Sequence, residues 1–149
     1  MITEIKEAAK QSGFSVYIAE NDKDINTQLN RIVRQESLPI ALTSWDIPVN
    51  LEFDNNGVLK NPLSNITMLL VDKADSLEKK DLEEKAEEVG DLFINFIRNL
   101  NSYLYNNTNV KENPITSIRF EYAPKFGSGQ HSGVLATFTT QLNLKSNCS

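Results

Sequence analysis

Only one cysteine, Cys148, occurs in the chain, so no disulfide can form within it, a usage that fits a reducing cytoplasm. There is also only one histidine, His131, and no second imidazole to join it in a zinc site or a catalytic dyad. No apolar run approaches the ~18 residues of a membrane span, and Met1–Glu7 lacks the apolar core of a signal peptide. A basic surplus is missing too. With 20 acidic and 15 basic side chains the net charge is −5, and the cations are scattered, which argues against sequence-independent binding to duplex DNA. Repeats, low-complexity tracts and linkers are absent. What is present is ordinary for a soluble globular protein: 149 residues, 40% hydrophobic and 23% charged. That length implies one domain, spanning 1–149, able to bury roughly 68–70% of its unfolded surface.

The chain is organised around Asn65–Tyr105. Ile66–Val71 is a short apolar run rich in β-formers and predicts a buried strand. A long amphipathic helix follows over Leu77–Leu104, with Leu82, Ala86, Val89, Phe93, Phe96, Ile97, Leu100 and Leu104 at steps of three and four. Asp75 with Glu78 resembles a capping box at its start. Gly90, in mid-helix, costs ~1 kcal/mol against alanine and implies close packing against another element.

Before this centre, Ile5, Ala8 and Ala9 predict a short helix ended by Gly13, and Phe14–Ala19 a strand. A second helix is expected from Asn21 or Asp22 with Ile25, Leu29, Ile32 and Val33 inward. Pro39 bars a helix from continuing into the extended Ile40–Trp45. Val49–Phe53 alternates, and Asp54-Asn55-Asn56-Gly57 makes a hairpin turn. After the polar stretch Asn106–Asn113, Thr116, Ile118, Phe120 and Tyr122 alternate with polar residues. Val134, Ala136, Phe138, Thr140, Leu142 and Leu144 do the same, as in half-buried antiparallel strands. The expected class is α+β: a mostly antiparallel sheet with the long helix and shorter helices packed on one face.

Three stretches invite a chemical reading. Phe126-Gly127-Ser128-Gly129-Gln130-His131-Ser132-Gly133 is glycine-rich, but it joins two strands and has no Lys-Ser or Lys-Thr after it. It reads as a projecting hairpin loop, Ala123–Gly133, ordered only against a neighbour or a DNA-facing surface, rather than a phosphate cradle. Glu83, Glu84, Glu87, Glu88 and Asp91 resemble the magnesium carboxylates of all-α nucleotide pyrophosphohydrolases. Those enzymes use two facing helices, however, and one helix face cannot surround an octahedral ion. Glu83, Glu84, Glu87 and Glu88 thus read as an acidic surface. Trp45, beside Asp46-Ile47-Pro48, reads as an edge-of-core anchor ahead of an interface residue.

Pro39-Ile40-Ala41-Leu42, the passage from Ile66–Val71 through Asp72-Lys73-Ala74-Asp75 into the long helix, and the closing Gly133–Phe138 strand ending near Cys148 together resemble the tail-terminator and head-tail neck-ring proteins of tailed bacteriophages. The resemblance covers most of the chain through element order. It implies a non-enzymatic virion component without cofactor, made in the host cytoplasm and placed in the phage neck or tail. It implies a homo-oligomeric ring, hexameric or dodecameric, that touches neighbouring neck or tail proteins and lets DNA pass without a membrane. Phe126, Gly127, Gly129, His131, Trp45, Asn55 and Asn56 are the candidate interface residues. Two alternatives stand beside this reading: a non-catalytic cytoplasmic binding or assembly module, and a magnesium-dependent nucleotide hydrolase using Glu84, Glu87, Glu88 and Asp91.

Overall fold

The computed structural model describes residues 2–19, 39–44, 49–60, 63–107, 114–126 and 130–141. The expected helix at 21–33, Trp45, Gly127, Gly129, Leu142 and Leu144 lie outside these residues. In chain order the elements are α1 (Ile2–Ser12), β1 (Ser15–Ala19), β2 (Ile40–Ser44), β3 (Val49–Asn50), β4 (Leu63–Lys73), α2 (Lys79–Asn107), β5 (Ile115–Phe126) and β6 (His131–Gln141). The strands form one sheet in the order β1-β2-β4-β6-β5, with β3 also paired to β4. Only β1 and β2 run parallel; the other pairs are antiparallel. This is the expected α+β class.

Helix α1 ends where Gly13 takes φ 97°, a left-handed turn that a side chain would strain. The Gly13 N–H donates to the Lys10 carbonyl and the Phe14 N–H to that of Ala9, and Phe14 then enters the core. Asn99 of α2 donates to the Ser12 hydroxyl at 2.8 Å, joining the two helices. Both helices pack on the same face of the sheet. Every residue of the predicted α2 stripe is buried, from Leu82 to Leu104. Phe96 lies at the centre, edge-on to Phe14 with ring centroids 5.2 Å apart and to Phe138 at 6.4 Å. Ile66, Met68 and Leu70 of β4 and Val134, Ala136 and Phe138 of β6 present the facing surface.

Several boundaries differ from expectation. β4 begins at Leu63, ahead of the predicted Ile66, because pairing with Thr139–Gln141 extends the strand. The helix starts at Lys79, too late for Asp75 to cap it; the Ser76 hydroxyl instead accepts the Glu78 N–H at 3.0 Å and donates to Asp81 in the first turn. Leu77 precedes the helix and is exposed. In β5, one extra residue between Thr116 and Arg119, with Ser117 at φ 52°, makes a bulge. The bulge shifts the alternation, so Ile115 is buried and Ile118 is exposed.

The loop expected over Ala123–Gly133 is mostly strand. Backbone pairing continues to Phe126 opposite His131, past a second irregularity between Ala123 and Phe126. Gly133 lets β6 approach β4 closely, since a Cβ there would lie 1.8 Å from the Leu70 carbonyl oxygen. The Gln130 carbonyl also accepts the Ala74 N–H at 2.7 Å, and the buried Ser132 hydroxyl donates to the Leu82 carbonyl.

Candidate functional site

Val49–Phe53 alternates like a strand, and its first two residues form β3, which among the described residues pairs only with the start of β4. Past Asn50 the chain leaves the sheet as a small two-stranded arm. Phe53 bridges Leu59, the Lys60 N–H donates to the Glu52 carbonyl, and Lys60 Nζ stands 4.0 Å from the Glu52 carboxylate. The predicted turn closes the arm. Asp54 Oδ1 accepts the N–H groups of Asn56 and Val58 at 2.8 and 2.9 Å, and Gly57 takes φ 76°. Asn55 and Asn56 stand exposed at this tip.

The arm carries large apolar side chains in water. Leu51 is 61% exposed, Phe53 67%, Val58 60% and Leu59 40%. Bridged residues share a face, and residues two apart on a strand share it too. Leu51, Phe53 and Leu59 therefore line one side of the arm, and Glu52 with Lys60 the other. Sequence reasoning placed Val49–Phe53 in a sheet and missed these exposed positions. The signal was available: the turn at Asp54–Gly57 is followed after only three residues by Asn61-Pro62, too few for a full return strand.

The second feature is the outer edge of β5. Among the described residues this strand pairs only with β6. Its two irregularities leave Arg119–Ala123 as the regular window between them. Phe120 and Tyr122 face α2, where the Tyr122 ring lies 2.8 Å from the position a Cβ on Gly90 would take. This is the close packing that Gly90 implied. Arg119 and Glu121 point to the opposite face and pair at 2.9 Å.

The remaining candidates separate in space. Glu83, Glu84, Glu87, Glu88 and Asp91 are exposed along α2, as expected for a solvated acidic face. Among the described residues no three histidine, cysteine, aspartate or glutamate side chains are gathered to hold a metal ion. Lys85 lies 2.7 Å from Glu88 and 3.8 Å from Asp72, and the hydrogen bond to Glu88, aided by the nearby carboxylates and opposed by burial, holds its ammonium above the ordinary value. His131 is half-buried at the start of β6, opposite Lys73 in β4. Burial, reinforced by the Lys73 charge and opposed by Asp72, pushes its imidazole below the ordinary value. Phe126 ends β5 beside His131, and its side chain is outside the described set. Among the described residues no helix is long and apolar enough to cross a membrane. No protein-family model matches the sequence, and no curated protein matches it significantly.

Proposed function

We propose that the chain is a non-catalytic structural subunit that assembles into a ring at the head-tail junction of a tailed bacteriophage, with DNA passing through the lumen. The observation that carries this reading is the arm, whose Leu51, Phe53, Val58 and Leu59 stay in water, outside the core cluster of the described residues. Fully burying such a side chain is worth roughly 1.5–3 kcal/mol, so covering the exposed part of all four is worth about 4 kcal/mol. One contact between two copies then does no more than meet the low end of the ~4–15 kcal/mol that association costs. A closed ring changes this balance, because closure adds a last contact without ordering another subunit. Complete rings are therefore favoured over short chains. A heterologous contact also needs two different surfaces on each subunit, and the arm and the β5 edge are distinct. The acidic face of α2 suits a channel that must not hold DNA.

The test is native mass across a hundredfold range of concentration, alone and with the neighbouring neck and tail proteins. A ring predicts one dominant high mass that replaces monomer without populated intermediates. A small assembly module predicts monomer or dimer throughout, and that result, with the neighbouring proteins present, overturns the proposal.

A further inference from the structure

We infer that the arm of one subunit adds to the β5 edge of the next, with Leu51 and Glu52 pairing antiparallel to Phe120 and Arg119 of a second copy. The inference rests on the assembly reading and names its contact. Among the described residues the window's outer edge has no strand partner and offers backbone groups of the kind an incoming strand satisfies. Bulges at both ends turn the rest of β5 away from such pairing, so the accepted strand must be short. The described arm strand beyond Asn50 is short enough.

The side chains set the register. Both partners are two-faced: the window has Phe120 and Tyr122 on one side and Arg119 with Glu121 on the other, while the arm has Leu51, Phe53 and Leu59 against Glu52 and Lys60. Placing Glu52 opposite Arg119 in antiparallel sense puts Leu51 opposite Phe120 and leaves Phe53 at the end of the window, next to the bulge. Ile94 of α2, one turn beyond Gly90, adds apolar surface on the same flank and is 37% exposed. On the other face, the arm's Lys60–Glu52 pair and the window's Arg119–Glu121 pair line up as four alternating charges. A parallel arrangement with the same Glu52–Arg119 contact would set Asp54 against Glu121, two like charges across the strands. Charge therefore selects the antiparallel sense.

Two independent sets of variants test this in the full chain. In the first, Cys148→Ser removes the native thiol, and Glu52→Cys with Arg119→Cys places two thiols opposite each other, about 4.5–5.5 Å apart at Cβ and close to disulfide reach. Oxidation should give a ladder of covalent multimers on a non-reducing gel that collapses on reduction, while each single cysteine gives at most dimers. In the second, Glu52→Arg and Arg119→Glu should each weaken assembly roughly tenfold, and the double reversal should recover most of the loss. Circular dichroism of every variant monitors the fold. Wild type that assembles, with no ladder and no recovery in the double reversal, overturns this contact and leaves the ring reading standing. Wild type that stays monomeric with the neighbouring proteins overturns both.

Discussion

Replacing Phe96 with alanine probes the centre of the molecule. The ring is fully buried between α2, α1 and the sheet, and it meets three other aromatic rings, those of Phe14, Phe93 and Phe138, at centroid distances of 5.2, 6.2 and 6.4 Å. Removing a buried phenylalanine costs ~3–5 kcal/mol in transfer and cavity terms. The aromatic contacts, each worth ~0.5–1.5 kcal/mol beyond area, place Phe96 at the upper end of that range. A domain of this size is stable by about 5–15 kcal/mol, so one substitution removes a third or more of the total. Urea denaturation followed by far-ultraviolet circular dichroism should show a midpoint lowered by about 2 M, and Tm should fall by roughly 10–15 °C. Glu87→Gln, on the opposite face of the same helix, should change stability by less than ~0.5 kcal/mol. A loss below ~1 kcal/mol for Phe96→Ala, or equal losses for both variants, would refute the placement of the α2 stripe.

Other substitutions separate backbone requirements from packing. Gly133→Ala should cost more than ~3 kcal/mol or abolish folding, because its Cβ would collide with the Leu70 carbonyl in a paired strand. Gly90→Ala meets only the Tyr122 ring, which is 54% exposed and free to shift, so the helix-propensity gain of ~1 kcal/mol offsets the clash and thermal denaturation should find little net change. Ser76→Ala should lose ~1 kcal/mol by removing its hydrogen bonds to the Glu78 N–H and to Asp81 at the start of α2, and Asp75→Ala less; the reverse order would restore Asp75 as the cap. His131, held below its ordinary pKa, binds a proton more readily in the unfolded chain. Stability should therefore fall as pH drops below about 6.5 toward the lower folded value, and His131→Gln should flatten that part of the profile measured by urea titration.

Local chemistry was enough to read the helices and turns. Gly13 stops α1 because the chain must turn left-handed there, and the stripe from Leu82 to Leu104 predicted the buried face of α2 residue by residue. The Asp54–Gly57 turn is equally local, set by a carboxylate that accepts two N–H groups and a glycine at positive φ. The β-side was less legible, because alternation says which residues share a face but not which strand lies beside them. The pattern through Thr116–Tyr122 looked unbroken, and only pairing with β6 exposed the extra residue that turns Ile118 outward. The glycine-rich stretch looked like a loop because Gly133 has the composition of one. Its lack of a side chain in fact serves the close approach of Leu70, a contact between residues more than sixty positions apart. The arm was hidden for the same reason. Leu51 and Phe53 are apolar in any reading, and whether they face a core or water depends on where the sheet ends, which only the tertiary structure decides.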